Sequence, residues 1–399
     1  MILIVSDPID AHVRLVEQRL REKGARVHRF DVAEMPRDAA LSARVADGEP
    51  VSIRARRERG DLDLSDVETV WIRRVGHGVK PDPSLSEEDR EFARSESTAF
   101  LYSLADVFRD RFCVNPIREA LATDRGNGKV SQLEVARRHG LAIPRTLVSN
   151  DPDAAREFAR SCKKGAIYKP FLSASRVEEG PEGEQRWLMT FTTRLTDEHL
   201  EKLDGVRHAP CIFQELVPKK VELRVTVLGD KVFATEIHSQ VHAKSAVDFR
   251  AHYDLGTTPY ATHALPSRVR DRLLAVHGEL GLVFGAYDLI LTPDGRYVFL
   301  EVNQQGQFLW LEEQTGQPLL ENFCELLIQG RRDYRCTAKA HAPGLPPLPP
   351  LDPVTAREVS GKNDARLGGG RRREKGTGKG KESKNNRLRE KRKGKGNKR

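Results

Sequence analysis

Apolar residues recur along this chain with two different periods, and the switches between them mark its elements. Ile2–Val5 is a short apolar run of strand type, after which Val13, Val16 and Leu20 recur at helical spacing and stop at Gly24. Val27–Phe30 reads as a second strand and Val70–Ile72 as a third. A long helix is predicted from Ser86 to Phe108. A second stretch begins at Ile117. Lys129–His139 reads as a helix stopped by Gly140, and Ala166–Lys169 as a strand running into Pro170. Residues 171–186 are polar and broken by Gly180, Pro181 and Gly183, which predicts a mobile loop. In the third stretch the period falls to two. Cys211–Val217 is a strand, and Val221–Leu228, a Gly229-Asp230 turn and Lys231–His238 form a hairpin signature. Gly285–Thr292, Pro293-Asp294-Gly295 and Arg296–Asn303 form another. Between the two, Val269, Leu273, Val276 and Leu280 share one helix face. Beyond Arg335 the periodicity ends. Pro343–Pro353 is proline-rich, and past Gly361 there is too little apolar surface to offset the entropy of ordering. The expected class is α/β (α+β). Its domains are 1–115, doubly wound; 116–205, carrying the loop; 206–335, carrying the two hairpins; and a disordered tail, 336–399.

Charge sharpens this division. From Ser360 to Arg399 there are 17 Lys and Arg against 4 Asp and Glu, a net of +13, whereas residues 1–359 hold 50 against 54. The body is mildly acidic and the basicity belongs to the tail, which is expected to bind anionic polymers weakly. No apolar run is long enough to span a membrane, and the N-terminal run is broken too early by Ser6, Asp7 and Pro8 for a signal peptide. Cys113, Cys162, Cys211, Cys324 and Cys336 are odd in number and contain no C-x-x-C, so reduced thiols in a cytoplasm are expected.

The second hairpin carries the strongest chemical signal. Glu301 and Asn303 share a strand face, and counting outward from the turn puts Asp288 nearly opposite Glu301. Facing carboxylates repel. They make sense around a hard cation such as Mg²⁺, which takes one or two carboxylates and leaves the rest of its shell to phosphate. On the first hairpin Glu222, Arg224 and Thr226 share a face, and Arg224 offers a planar fork to a phosphate or acyl phosphate. Lys169, at a strand end before Pro170, suits a phosphate as a point charge. Gly128-Lys129-Val130 fails the P-loop pattern and no G-x-G-x-x-G follows a strand, so nucleotide binding requires another architecture.

The ordered set Lys129, Lys169-Pro170, Gln214-Glu215-Leu216-Val217, Glu222-x-Arg224, Asp288 and Glu301-x-Asn303 resembles the ATP-grasp superfamily. Within it, residues 299–316 (FLEVNQQGQFLWLEEQTG), Trp71-Ile72-Arg73-Arg74, residues 140–150 and Asp248-Phe249-Arg250 are similar to the microviridin-type graspetide ligases. One departure is Gln304, where that family commonly has proline. The resemblance covers residues 1–330. It implies a pre-ATP-grasp domain followed by two ATP-grasp subdomains, with ATP and Mg²⁺ as cofactors. Lys129 and Lys169 would hold phosphates, Gln214, Glu215 and Val217 would lie at the adenine, and Glu222 would hold the ribose. Asp288, Glu301 and Asn303 would bind Mg²⁺, Arg224 and Lys169 would act in catalysis, and Asp248 and Arg250 would recognise a substrate carboxylate. The implied activity is ATP-dependent ester or amide cross-linking of Asp or Glu to Ser, Thr or Lys in a ribosomal precursor peptide, by an enzyme for which a homodimer is an open option. Another ATP-grasp amino-acid ligase, such as a protein glutamate ligase, is the nearest alternative. A nucleic-acid-binding protein acting through its tail is the alternative of a different class.

Overall fold

Ile2–Ser6 lies between Val27–Phe30 and Thr69–Arg73, with Phe112–Val114 outermost, in a four-stranded parallel sheet. The computed structural model describes residues 1–73, 78–121, 128–171, 175–179, 185–189, 191–243, 245–251, 257–341 and 344–357. The helix Ala11–Glu22 packs on this sheet through Val13, Val16 and Leu20, the stripe seen in the sequence. Asp10 begins the helix by accepting hydrogen bonds from the N–H groups of His12 and Val13. The long helix spans Glu87–Val107. A three-stranded antiparallel sheet, Ala39–Arg44, Ser52–Arg57 and Leu62–Asp63, was not anticipated.

Ala166–Lys169 and Cys211–Glu215 pair antiparallel, flanked by Thr193–Arg194 and Thr146–Ser149. The stretch expected to be loop contains a hairpin, Ser175–Glu179 with Gln185–Met189; residues 172–174 and 180–184 lie outside the described residues. The largest sheet is antiparallel and ordered Tyr260–His263, Lys231–Ile237, Val221–Leu228, Phe284–Leu291, Tyr297–Asn303. One face is apolar: Leu223, Val225, Val227, Tyr287, Leu289 and Phe299 pack with Leu273 and Val276 of the helix Ser267–Glu279 and with Leu133 of the helix Lys129–Arg138. The other face holds the polar residues discussed below.

The N-terminal sheet, this antiparallel sheet and the helices Leu309–Thr315 and Leu319–Gln329 share a core. In it the Trp71 and Phe323 rings meet edge-on at 4.7 Å, and Phe284 and Phe308 pack alongside. Order extends past the expected limit at Arg335. Leu345 packs on this core, the His341 N–H donates to the Gly316 carbonyl at 3.0 Å, and Arg14 donates to the Pro349 carbonyl. Proline-rich chain needs no ladder of its own to be held this way. Asp352 begins a separate unit, in which its carboxylate accepts from the N–H and hydroxyl of Thr355 at 3.1 and 2.6 Å. Residues 358–399, the basic tail, lie outside the described residues. Among the described residues no helix is long and apolar enough to cross a membrane, and the five cysteines are free thiols.

Candidate active site

Two adjacent strands place the acidic pair. Pairing runs from Leu291 opposite Tyr297 to Leu289 opposite Phe299, then shifts by one residue, so that Asp288 lies opposite Glu301 and Ala286 opposite Asn303. The extra residue is Leu300. A bulge of this kind re-aims the side chains beyond it. Without it, alternation would send Glu301 to the apolar face with Phe299; with it, Asp288, Glu301 and Asn303 share the polar face. The Asp288 and Glu301 side chains are 24% and 25% exposed, which leaves them open to a ligand.

Cations converge on the pair. Arg224, directly opposite Asp288 on the next strand, places Nη1 at 2.8 Å from both of its carboxylate oxygens. Lys129 Nζ lies 3.1 Å from Glu301 Oε2. It is delivered by its helix, which docks on the acidic strand through Gln132: the amide donates to the Val302 carbonyl and accepts from the Val302 N–H, both at 2.9 Å. Lys169 ends its strand close enough to feel Glu301, Lys129, Asp288 and Arg250. The pKa directions record this crowding. Burial alone would raise Glu301, but Lys169 and Lys129 outweigh it and hold its carboxyl at about 2. Burial raises Asp288, with Arg224 opposing and Glu301 adding to the rise. Burial pushes the Lys169 ammonium down against the pull of Glu301.

Arg250 is matched by its own partner, Asp248, and the other three cations, Lys129, Lys169 and Arg224, exceed the two carboxylates Asp288 and Glu301, which suits a polyphosphate. The oxygen donors of Asp288, Glu301 and Asn303 fit Mg²⁺, a hard ion that completes its shell with phosphate and water. Among the described residues no group of three or more His, Cys, Asp or Glu converges as a metal cage.

The remaining sequence candidates fall around this centre. Glu222 is held by Lys219 Nζ at 3.0 Å and by the Ser239 hydroxyl at 2.7 Å; burial raises its pKa, with Lys219 opposing. Lys219 also donates to the Val247 carbonyl at 2.7 Å, which ties the Asp248–Arg250 turn to Glu222. Gln214 is buried and donates to the Thr146 hydroxyl at 2.9 Å, so its side chain is committed to the fold. Glu215 accepts from the Arg145 N–H at 3.1 Å. Val217 joins Ile290 and Val298 in a small apolar cluster, with Ala142 and Leu300 against it.

Asp248 is 5% exposed and accepts from Arg250 Nε and Nη2 at 2.9 and 2.7 Å and from the Thr192 N–H at 3.1 Å. Burial would raise it, but Arg250 and the backbone bonds bring it to about 2. Its folded pKa is depressed, so its contribution to stability is present above its ordinary value of 3.8 and fades as pH falls toward 2. Asp248→Asn is therefore expected to cost about 1–2 kcal/mol at neutral pH. That gap should narrow in denaturant titrations as pH falls below about 4; a gap that stays constant with pH would contradict the assignment.

Sequence reasoning missed the residues that hold these groups. Asn115 donates to the carbonyls of Phe284 and Gln304 at 2.9 and 3.0 Å, and its oxygen accepts from the Val283 and Phe284 N–H groups, each at 2.7 Å. Lys219, Gln132 and His12 were likewise unmarked. Arg73, a charge inside an apolar strand, was marked as part of the Trp71-Ile72-Arg73-Arg74 motif but given no role.

Comparison with known proteins adds to this geometry. A family model, the MvdD pre-ATP grasp domain, matches residues 1–120. The structure of macrocyclase MdnC bound with precursor peptide MdnA, from Microcystis aeruginosa MRC, aligns with a TM-score of 0.68 and 30% identity, covering 82% of this chain and 99% of that one. A Chryseobacterium gregarium RiPP-associated ATP-grasp ligase, in complex with ADP and a leader and core peptide, aligns with a TM-score of 0.73 and 27% identity over 84% and 99%. A probable alpha-L-glutamate ligase of Marinobacter nauticus is 24% identical over 206 residues, which is 51% of this chain and 64% of that relative's length.

Proposed function

The chain belongs to the ATP-grasp peptide ligases that mature ribosomal peptides, the graspetide ligases, and from that premise we propose that it phosphorylates Asp or Glu side chains of a precursor peptide and joins them to Ser, Thr or Lys as esters or amides. It is an ADP-forming ligase, and ATP and Mg²⁺ are typical of its fold. The observation that carries the finer reading is the Asp288–Glu301 pair ringed by Lys129, Lys169, Arg224 and Arg250.

A carboxylate is a poor electrophile. Taking up a phosphoryl group gives it a leaving group, which a hydroxyl or amine then displaces as phosphate. The protein's share is positioning and charge neutralisation. Asp288, Glu301 and Asn303 would hold Mg²⁺, which would neutralise charge on the phosphates. Lys129 and Lys169 would hold phosphate oxygens, and Arg224 would stabilise charge on the transferring group. Glu222 would take the ribose, and Val217, packed with Ile290 and Val298, would lie at the base with Gln214 and Glu215. We assign residues 1–115 as the pre-ATP-grasp domain and divide the ATP-grasp part at 205 into its two subdomains.

Arg250, braced by Asp248, would grip the peptide carboxylate. Arg250→Ala is expected to slow cross-linking by at least about 100-fold, comparable to losing a charged substrate contact. Because Arg250 is proposed to touch the peptide, ADP affinity should hold. Arg250→Lys should rescue poorly, since an ammonium lacks the planar fork. The test is co-incubation of the full chain with ATP, Mg²⁺ and a Thr/Ser- and Asp/Glu-rich peptide, reading water loss by mass spectrometry beside ADP release. ADP release with free glutamate but not with peptide would favour the second reading, a glutamate ligase, which the curated relative supports. The basic tail, outside the described residues, is read as a weak electrostatic contact with anionic polymer. Its deletion should remove any polyanion binding that falls with salt and leave ligation intact.

A further inference from the structure

The segment that leaves the acidic strand, Gln304–Leu309, is held from outside its own sheet. Arg73 ends a parallel strand and is 1% exposed. Its Nη1 donates to the carbonyls of Gln305 and Gly306 at 2.8 and 3.1 Å. Its Nε lies 3.1 Å from the carboxylate of Asp10. Two residues on from Asp10, the His12 ring nitrogen Nε2 accepts from the N–H groups of Phe308 and Leu309 at 3.0 and 3.2 Å. The Phe308 ring lies against the imidazole, with centroids 5.3 Å apart. The same segment also meets the residues proposed to hold phosphate and metal. Arg224 Nη2 donates to the Gln307 carbonyl at 3.3 Å, while its Nη1 holds Asp288. The Gln305 N–H donates to the Asn303 side-chain oxygen at 3.1 Å.

We propose that His12 and Arg73 are positioning residues for the phosphate and metal site: by fixing Gln305–Leu309 they fix the Arg224 guanidinium and the Asn303 amide. The proposal rests on the reading of Arg224 and Asn303 given above, and adds to it a requirement that the N-terminal sheet be in contact. Two donors converge on His12 Nε2, so it serves only with that nitrogen unprotonated; the tautomer is fixed by its partners. A proton there would meet two N–H groups head-on. Asp10 faces it and is itself paired with Arg73, of opposite charge.

The test uses the full chain with His12→Leu, His12→Gln and Arg73→Lys. Mg·ADP affinity is measured by calorimetry, and kcat and KM for ATP across pH. His12→Leu keeps bulk without an acceptor and is expected to weaken Mg·ADP binding about tenfold and to lower kcat by at least as much, the loss of two backbone bonds. His12→Gln keeps an acceptor that does not titrate, so both quantities should stay within about threefold of wild type and the acid limb of kcat should flatten. Arg73→Lys, with no fork for two carbonyls, should fall between them. A merely structural role predicts a lower melting temperature for His12→Leu with unchanged Mg·ADP affinity and an unchanged acid limb. Either that pattern or wild-type behaviour in His12→Leu overturns the proposal. If the wild-type chain itself binds no Mg·ADP, the reading of the site fails first, and the clamp has nothing to position.

Discussion

Glu301→Gln lowers ATP-dependent turnover of the peptide by at least about 100-fold, the equivalent of about 3 kcal/mol of lost electrostatic stabilisation. The substitution keeps the shape of the side chain and removes its charge. Two consequences follow from one loss. The proposed Mg²⁺ site is left with Asp288 as its only carboxylate, and Lys129 and Lys169 lose their shared counter-charge. The second effect also reaches stability. Glu301 has a depressed pKa, so its stabilising share is present above its ordinary value of 4.5 and lost as pH falls toward 2. At neutral pH the ligand-free variant should therefore be less stable, by about 1–3 kcal/mol. Turnover must be compared below its melting transition, beside a titration of Mg²⁺. The expected signature is a rate loss that excess Mg²⁺ only partly restores. Near-wild-type turnover in the folded variant, or wild-type activity undiminished in excess chelator, would remove Glu301 from the metal site.

How far the sequence revealed this site depended on how local each signal was. Alternation in Val221–Leu228 and Phe284–Leu291 revealed both hairpins and their faces, because period two is a property of neighbours. Counting from the Pro293-Asp294-Gly295 turn placed Asp288 only near Glu301, since one extra residue at Leu300 leaves no mark on composition. The sheet of residues 39–63 was missed for a related reason. Its central strand buries Ile53 and Ala55 but alternates them with exposed Arg54 and Arg56, and in so charged a stretch two apolar residues are a faint pattern. The proline-rich stretch after Arg335 looked unable to order itself and is instead ordered by contact, through Leu345 and the Pro349 carbonyl. His12 and Phe308 are 296 residues apart, and Asn115 and Gln304 are 189 apart. Bonds from a side chain to a distant backbone carry no local period, so only the fold reveals them.

Gly306→Ala is expected to cost about 1–3 kcal/mol of stability, as over-packing does, and to lower turnover by at least about tenfold through Arg224. Nothing in the backbone of Gly306 demands glycine for its conformation; the demand is for space. A methyl group there would lie 2.5 Å from the Ala286 Cβ, 2.7 Å from Arg224 Nη2 and 3.3 Å from the Asn303 Cβ. Ala286 sits in the middle of its strand with no exposed surface and has little freedom to retreat. Arg224 is the softer neighbour, the end of a long side chain, so it yields first. It then leaves the position from which it holds both Asp288 oxygens and the Gln307 carbonyl. The double variant Ala286→Gly, Gly306→Ala separates these effects. It removes the hard contact with Ala286 and should recover most of the stability. It leaves a methyl group beside the guanidinium, so turnover should recover less. Parallel recovery of both would mean that the activity loss came from general destabilisation. Full turnover in a folded Gly306→Ala protein would mean that the placement of Arg224 beside Asp288 does not matter to phosphoryl transfer.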